Sequence, residues 1–374
     1  MSEINRMSPK PLYQQVKDML EHQILTGELG EGEPIPSERE LCEQYSVSAT
    51  PVRRALQELV RDGLIRRRPG IGSFVSSEAR SLDLLLLITG FEEEAWRRYS
   101  YLFSELIGGI ARVTWERNAT FSVARVPIGY GDIKSYLYSV IREGTFDGIL
   151  LRMGGDLEED CLVPLLETGF PYVVIKRYLS NRMINCVIND DVQGAFAATE
   201  HLIRLGHTRI GLIAAEHIRV ARDRCEGYLG ALEAHGIEVD PDLIYHCGDY
   251  MEETGRKAAE TFISLANRPT AIFAPGDIVA IGAYHTIQEA GLRIPEDVAI
   301  VGYDDIPPAA TLSPPLTSVS TPYSEFGIQS ASLLLDIITQ KVQSPQRMII
   351  EQSLVVRNSC GSRLRGEVPI ASRF

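Results

Sequence analysis

Arginine is concentrated in one short stretch near the start of the chain. Between Arg39 and Arg68 there are seven arginines and only four acidic residues. A guanidinium group stays charged and can donate two parallel hydrogen bonds to a phosphate or to the edge of a guanine. The chain as a whole has 374 residues and a formal net charge of −13. The stretch therefore predicts one focused contact face for nucleic acid on a body that otherwise repels polyanions.

The residues around these arginines predict two short helices. Ser37 followed three positions later by Glu40 is a capping-box pattern, so one helix should begin near Ser37. A second helix should follow, capped by Ser48 or Thr50. Pro51 would lie in its first turn, where a missing N–H costs nothing. The spacing is typical of a helix-turn-helix.

A hairpin is predicted directly after the second helix. Gly63 should end that helix, and Leu64–Arg68 and Ser73–Val75 should form two short strands. An earlier helix is indicated by apolar residues at four-residue intervals, namely Leu12, Val16, Leu20 and Ile24. Together these elements predict a winged helix-turn-helix, an α+β DNA-binding domain.

This segment resembles the N-terminal domain of GntR-family bacterial transcription regulators over residues 8–76. The motifs that carry the resemblance are P-S-E-R-E-L, V-S-x-x-x-V-R-x-A-L, L-x-x-x-G-L-I and G-x-G-S-F-V. The resemblance implies DNA contacts at Arg39, Ser48, Thr50, Arg53 and Gly70. For Arg54 and Arg61 we favour a solvated helix face. Ala49 stands where many family members have arginine, so the operator sequence does not carry over.

The rest of the chain alternates between apolar runs and amphipathic stretches. Runs typical of buried strands are Leu82–Thr89, Asp147–Leu151, Tyr172–Ile175, Ile210–Ala214, Ala271–Ala274 and Val298–Val301, and helical stretches include Val192–Leu205 and Asp277–Ala290. This alternation predicts parallel α/β layers. We expect three parts: the DNA-binding domain over 1–76, a linker over 77–81 and a sensing domain over 82–374.

Several classes of function are not indicated. The six cysteines are scattered without a C-x-x-C pair, and the histidines lack metal-ligand spacing, so we expect no disulfide, metal or cofactor. No G-x-S-x-G, Walker A or Rossmann pattern is present, so we do not expect an enzyme. The apolar runs are too short to span a bilayer, and no signal peptide pattern precedes them, which predicts a cytoplasmic protein.

From Leu82 onward the chain resembles the effector domain of LacI/GalR regulators, which has two doubly wound lobes similar to type I periplasmic sugar-binding proteins. The motifs include F-D-G-I-L from Phe146, H-L-I-R-L-G-H from His201, R-x-x-G-Y from Arg224 and I-P-E-D-V-A-I-V-G-Y-D-D from Ile294. The resemblance implies a small-molecule site between the lobes and three chain crossings.

Ligand-binding residues follow from this resemblance one position at a time. The candidates are Arg224, Asp304, Asp190, Phe103, Tyr323, Lys176 and Asp277. The register between Asp190 and Asp191 is open, both aromatics have core packing as an alternative, and Asp277 more often caps a helix than touches ligand. Lys176 replaces a usual aspartate, which keeps an anionic sugar open as the ligand.

The combination of the two domains resembles the arabinose repressors of Gram-positive bacteria. It implies a homodimeric repressor of carbohydrate use that a small sugar such as a pentose releases from operator DNA. Alternatives are a regulator whose DNA binding is promoted by a non-sugar or anionic metabolite, and a sugar-binding or enzymatic protein that shares the fold. The sequence does not separate repressor from activator.

Overall fold

The computed structural model describes residues 10–68, 71–76, 81–91, 100–126, 133–154, 159–215 and 219–362, together with Ile4 and Ser8. Gly70, at the predicted tip of the hairpin, and residues 77–80 of the predicted linker lie outside the described residues. No described helix has the length and apolar character needed to cross a membrane.

The N-terminal part of the chain has the predicted winged helix-turn-helix fold. Its elements are the helices α1 (Leu12–Leu25), α2 (Glu38–Tyr45) and α3 (Ala49–Arg61) and the antiparallel hairpin β1 (Ile65–Arg68) and β2 (Gly72–Val75). Val16, Leu20 and Ile24 form the buried face of α1. They pack against buried residues of α2 and α3, which makes one small apolar core.

Local capping sets the ends of the two short helices. Ser37 Oγ accepts a hydrogen bond from the Glu40 amide while the Glu40 carboxylate accepts one from the Ser37 amide, so the predicted capping box is present. Ser46 ends α2 with a left-handed backbone, at φ 53°. Ser48 precedes α3 as its N-cap residue, but its side chain makes no capping hydrogen bond. That hydroxyl is therefore available to an external partner.

The first lobe is built on a six-stranded sheet. Its strands are β3 (Leu82–Thr89), β4 (Ala119–Val126), β5 (Gly148–Met153), β6 (Tyr172–Ile175), β7 (Cys186–Asn189) and β13 (Arg347–Ile350). The order is β13-β7-β6-β5-β3-β4, and every pairing is parallel. The accompanying helices are α4 (Ser100–Glu116), α5 (Ile133–Glu143), α6 (Glu159–Thr168) and α12 (Tyr323–Ile338).

The second lobe repeats this design. Its strands are β8 (Ile210–Ala215), β9 (Ile244–Cys247), β10 (Ala271–Phe273), β11 (Ala299–Asp304), β12 (Thr317–Ser320) and β14 (Ser353–Val355). The order is β14-β12-β11-β10-β8-β9, parallel except for β14. Its helices are α7 (Asp191–Arg204), α8 (Arg219–Ala234), α9 (Glu252–Ser264), α10 (Asp277–Glu289) and α11 (Pro307–Thr311), with a 3₁₀ turn at Pro241–Leu243.

The described chain passes between the lobes three times, as predicted. The crossings lie at Asp190 between β7 and α7, at residues 321–322 between β12 and α12, and at residues 351–352 between β13 and β14. Ligands of open parallel sheets bind outside the carboxyl ends of the strands. A ligand site is therefore expected beside the residues that follow β6 and β11.

Two glycines let α4 and α12 approach closely in the first lobe. A Cβ on Gly109 would lie 2.1 Å from the Ser324 carbonyl oxygen, and one on Gly327 would lie 2.2 Å from the Leu106 carbonyl oxygen. Gly109 therefore serves helix packing. The contact fixes α12, whose first residue, Tyr323, comes directly after a crossing.

Candidate functional sites

The beginning of α3 presents a small, polar surface to solvent. Ser48, Ala49, Thr50 and Arg53 are exposed, whereas Val52 is buried in the core of the domain. The second helix of a helix-turn-helix enters the major groove, and its N-terminal residues contact base edges. Three residues predicted to contact DNA thus share one accessible face.

An acidic side chain of α2 holds two arginines beside this face. The Glu38 carboxylate accepts hydrogen bonds from Arg53 of α3 at 3.2 Å and from Arg67 of β1 at 2.6 Å. Arg39 is paired with Glu43 at 3.1 Å, and its side chain is 88% exposed. Exposed ion pairs contribute little to stability. These arginines can therefore exchange their carboxylate partners for phosphates or bases at small cost.

Arg54 and Arg61 have partners within the domain itself. The Arg54 guanidinium lies 3.7 Å from the centroid of the Tyr13 ring and 3.6 Å from the Glu58 carboxylate. Arg61 pairs with Asp62 at 3.3 Å. These contacts favour a supporting role for both arginines on their helix face.

A cavity of about 470 Å³ lies between the two lobes. The first lobe contributes residues 176–181 and 188–189, and the second contributes Asp191 with residues 219–220 and 222–223. The volume is within the range of small-molecule sites, about 300–1,000 Å³. The described residues include no group of three or more His, Cys, Asp or Glu side chains able to hold a metal ion.

Arg224 connects two carboxylates in the second lobe. Its guanidinium donates from Nε to Asp191 at 2.8 Å, from Nη2 to Asp304 at 3.1 Å and from Nη1 to the Pro275 carbonyl at 2.7 Å. The guanidinium carbon lies 3.6 Å from the centroid of the Tyr303 ring. Burial alone would lower the pKa of Arg224, but the two carboxylates raise it well above its ordinary value. The side chain is a permanently charged, fixed support for the cavity wall.

The two carboxylates have different surroundings. Burial would raise the pKa of Asp191, but Arg224 and Lys176 lower it below its ordinary value. Asp304 has a left-handed backbone, at φ 101°, and accepts a hydrogen bond from Thr321 Oγ1 at 3.3 Å. Since Thr321 lies in a crossing, the site is connected to the hinge between the lobes.

Lys176 is the first residue after β6, and its backbone is left-handed at φ 57°. Its Nζ atom lies 4.9 Å from the centroid of the Tyr323 ring and 5.3 Å from that of Phe326. The residue is 5% exposed and lines the cavity. Burial lowers the pKa of Lys176 to about 8, although nearby Asp191 and Asp304 favour its charged form.

Tyr178 makes a contact between the lobes at the same cavity. Its hydroxyl donates to Asp223 of α8 at 3.4 Å, and its ring lies 4.9 Å from the Arg219 guanidinium. On the side of its own lobe, Arg347 lies 5.1 Å from the ring. Asp223 also pairs with Arg219 at 3.1 Å. A change in the gap between the lobes must alter this cluster.

The remaining predicted ligand residues are not among the described residues that line the cavity. Asp190 is exposed and accepts a hydrogen bond from the Gln193 amide at 2.9 Å, so it caps α7. Phe103 is buried in the first-lobe core, edge-on to Phe91 at 5.1 Å. Tyr323 contacts the Lys176 ammonium with its ring. These placements favour Asp191 over Asp190 as the carboxylate that faces a ligand.

Asp277 stabilises the loop that follows β11. Its two carboxylate oxygens accept hydrogen bonds from the Ser318 hydroxyl at 2.7 Å and the Ile306 amide at 2.8 Å. The residue is 1% exposed, and burial raises its pKa well above the ordinary value. Its contacts are all internal, so they favour a positioning role behind Asp304.

Sequence reasoning missed several members of the two sites. The pairing of Glu38 with Arg67 carried no signal, since it depends on how the hairpin packs beside α2. Tyr178 and Arg219 likewise come together only across the lobes. Asp191 did carry a signal in the sequence. Two successive aspartates lie at the start of a helix, and only one of them can occupy the N-cap position, so the other is free to make a different contact.

Two known families match the chain in succession. Residues 12–75 match the bacterial regulatory proteins of the gntR family, and residues 199–360 match the periplasmic binding protein-like domain. The arabinose metabolism transcriptional repressor of Geobacillus stearothermophilus is 29% identical over 362 residues, which cover 93% of this chain and 97% of that protein. Both resemblances expected from the motifs are confirmed.

Two further relatives are similar to large parts of the chain. The probable HTH-type transcriptional repressor ExuR of Bacillus subtilis is 32% identical over 232 residues, covering 62% of this chain and 69% of that protein. Among solved structures, the transcriptional regulator CelR in complex with cellobiose has a TM-score of 0.66 at 28% identity, covering 94% of this chain and 100% of that one. The order of the domains and the two-lobed fold thus have parallels in known regulators.

Proposed function

Because this chain belongs to the GntR-family transcriptional regulators that carry a periplasmic binding protein-like effector domain, we propose that it represses carbohydrate-utilisation genes until a small carbohydrate binds between its lobes. The observation that carries the proposal is the buried Arg224, which supports Asp191 at the wall of the cavity. Charged groups that both donate and accept hydrogen bonds are suited to hydroxyl-rich ligands. The arabinose and cellobiose named for two relatives support this class of ligand.

On the DNA side, we assign base contacts to Ser48, Thr50 and Arg53. Arg39 and Arg67 would bind phosphates, and Gly70 would let the tip of the wing approach the minor groove. Glu38 supports this assignment, since its carboxylate holds two of the arginines next to the exposed start of α3. A regulator with these contacts acts on chromosomal DNA in the cytoplasm.

Coupling between the two sites would run through the geometry of a homodimer. Helix-turn-helix domains commonly bind two half-sites as dimers, so a change in the spacing of two such domains changes operator affinity. Trp115 near the end of α4 is 86% exposed, which is unusual for this residue type and supports a contact between copies of the sensing domain. A hundredfold loss of operator affinity requires about 2.7 kcal/mol of coupling, within the usual range.

Thermal unfolding of the full-length protein tests the ligand half of the proposal. The panel contains pentoses, hexoses, disaccharides, sugar acids, sugar phosphates and nucleosides. A ligand at 100 times its dissociation constant stabilises the folded state by about 2.7 kcal/mol, which raises the melting temperature measurably. Stabilisation by nucleosides alone, or by nothing in the panel, would contradict a carbohydrate effector.

Binding to the DNA upstream of the protein's own gene tests the regulatory half. The best ligand should weaken that binding at fixed salt concentration. Tighter binding in the presence of ligand would identify the opposite sign of control, with the ligand acting as a corepressor. Turnover of the ligand during long incubation would instead point to an enzyme.

A further inference from the structure

Gln352 lies in the third crossing between the lobes, and every hydrogen-bonding position of its side-chain amide is used. Its Oε1 atom accepts from Asn189 Nδ2 at 3.0 Å and from the Tyr303 hydroxyl at 3.0 Å. Its Nε2 atom donates to the Ser320 carbonyl oxygen at 3.2 Å and to Thr321 Oγ1 at 3.3 Å. A primary amide has two N–H groups and two acceptor sites, so its capacity is filled. The residue is 3% exposed, so these bonds form away from bulk water.

The partners of Gln352 include residues at both of the other crossings. Asn189 is the last residue of β7, directly before the first crossing at Asp190. Ser320 is the last residue of β12, and Thr321 begins the second crossing. One side chain therefore links the three segments about which the lobes rotate. A rotation of one lobe must either carry the three segments along together or break several of these bonds at once.

The chemistry of the partners fixes the orientation of this amide. The Ser320 carbonyl oxygen can only accept a hydrogen bond, so Nε2 of Gln352 must face it and Oε1 must face Asn189. The neighbouring helix α7 leaves just enough room. A Cβ on Gly194 would lie 2.1 Å from the Tyr303 hydroxyl oxygen and 3.1 Å from Gln352 Oε1. A larger residue at position 194 would therefore displace the groups that hold the amide.

The same hydrogen bonds continue to the cavity wall. The Thr321 hydroxyl accepts from Gln352 and donates to the Asp304 carboxylate at 3.3 Å. Arg224 donates to Asp304 at 3.1 Å and to Asp191 at 2.8 Å, and Asp191 lines the cavity. Hydrogen bonds in such a chain polarise one another, so a shift at one end changes the others. A ligand that moves Asp191 or Arg224 thus acts on the crossings through consecutive hydrogen bonds.

We propose that Gln352 is a positioning residue that links the three crossings into one unit and transmits ligand binding in the cavity to the relative orientation of the lobes. The inference rests on the proposed function, because it takes the cavity between the lobes as the effector site. Gln352 is not among the described residues that line the cavity. Loss of its amide should therefore weaken the effect of a ligand on DNA binding far more than it weakens ligand binding itself.

Variants at position 352 test the transmission in the full-length protein. The probe is arabinose or, if arabinose does not raise the melting temperature, the sugar of the panel above that raises it most. The saturating probe should raise the wild-type dissociation constant for the upstream DNA at least about tenfold. Gln352→Met keeps the length of the side chain and removes all four hydrogen bonds. Its increase should be below about threefold, and its affinity for the probe should stay within about threefold of wild type.

Glu351→Gln is the matched control for this variant. Glu351 is the exposed neighbour of Gln352 in the same crossing, so the control alters the segment without altering the linking amide. Its response to the probe should equal that of the wild-type protein. An equal loss of response in both variants would overturn the assignment to Gln352.

Thr321→Val tests the path by a second substitution that preserves side-chain shape. It removes the hydroxyl between Gln352 and Asp304 and should weaken the response to the probe as Gln352→Met does. The double variant should lose no more of the response than the more strongly affected single variant, because both substitutions interrupt one chain of contacts. Losses that add in the double variant would overturn that chain.

Hydrogen exchange measures the link between the crossings without sugar or DNA. Peptides that contain residues 189–191 and 320–322 should exchange at least about fivefold faster in Gln352→Met than in wild type. Peptides from α1 and α3 of the winged domain should be unchanged, which shows that the variant is folded. Unchanged exchange at both crossings would overturn the link, independently of any response to the probe.

The outcomes separate this inference from the proposed function. A wild-type response that is retained in Gln352→Met would overturn the inference and leave the proposed function intact. A loss of probe binding in that variant would do the same, because it would place Gln352 in support of the site rather than in transmission. If no sugar of the panel changes DNA binding by the wild-type protein, the proposed function and the transmission both fail.

Discussion

The cations of the winged domain are exposed to water, whereas those beside the cleft are buried. Arg39 and Arg53 are largely exposed and paired with carboxylates that water can replace. Arg224 and Lys176 are buried, and their pKa values move in opposite directions because two carboxylates raise that of Arg224 whereas burial lowers that of Lys176. The first region is built to exchange partners with a large polyanion. The second holds its charges fixed inside the protein.

This difference separates two uses of a positive charge. An exposed guanidinium contributes little to folding, so its loss should affect DNA binding far more than stability. A buried charge in a network affects both folding and ligand binding. Substitutions in the two regions should therefore give different ratios of stability change to binding change, and four experiments examine that contrast.

Arg224→Ala should have the largest effect. It leaves Asp191 and Asp304 without their shared partner, and breaking a buried pair in this way costs about 3–5 kcal/mol. Urea unfolding of the variant measures the loss. The matched control is Arg204→Ala, an exposed arginine paired with Glu200 in the preceding turn, which should change stability by less than about 1 kcal/mol. Equal losses of stability in the two variants would contradict the difference between buried and exposed arginines.

Lys176→Met should stabilise the ligand-free protein near pH 7. The folded-state pKa is about 8, below the ordinary 10.5, so the unfolded chain binds more protons between these pH values. Wild-type stability should thus rise with pH in this window, as the cost of the buried charge, about 3 kcal/mol at most, is relieved. The difference in unfolding free energy between wild type and variant, measured at pH 7 and 9.5, isolates this lysine. A difference in unfolding free energy that is as large at pH 9.5 as at pH 7 would contradict the lowered pKa of Lys176.

Arg53→Ala should reduce operator affinity by about 1–3 kcal/mol and leave the melting temperature nearly unchanged. Its neighbour in sequence is the natural control, because Arg54 packs on Tyr13 inside the domain. Arg54→Ala should lower stability slightly with a smaller effect on DNA. Fluorescence anisotropy with labelled upstream DNA and parallel melting curves measure both quantities. The reverse ranking would show that the DNA-contacting face of α3 is assigned incorrectly.

Glu38→Gln should have the smallest effect and should act on selectivity. The substitution frees Arg53 and Arg67 from a fixed carboxylate and removes a negative charge that repels phosphates. Affinity for random duplex DNA should rise, and the ratio of specific to random binding should fall by a few-fold, with a stability change below about 1 kcal/mol. Titrations at two salt concentrations separate the electrostatic part. An unchanged ratio would mean that Glu38 does not orient the two arginines.

Features of the fold that depend on local sequence patterns could be predicted. The capping box at Ser37 and the apolar strand Leu82–Thr89 are visible in consecutive residues, and the structure has both where expected. The strand predicted at Val298–Val301 was too short at its C-terminal end, because it continues to Asp304 and so places that residue where it pairs with Arg224.

What depends on tertiary contacts could not be predicted. The Asp190 and Asp191 pair is ambiguous until the capping hydrogen bond assigns the first residue to the helix end. The burial of Lys176 between two rings follows from the packing of α12 on the first lobe. Spacing along the chain contains neither piece of information.

In the proposed function, a ligand in the cleft controls the exposed DNA-binding face. The most direct test is an anisotropy titration of labelled upstream DNA with the full-length protein, at one salt concentration, with and without the carbohydrate that most raises its melting temperature. The ligand should raise the dissociation constant for this DNA at least tenfold. An identical dissociation constant with the cleft saturated would contradict it.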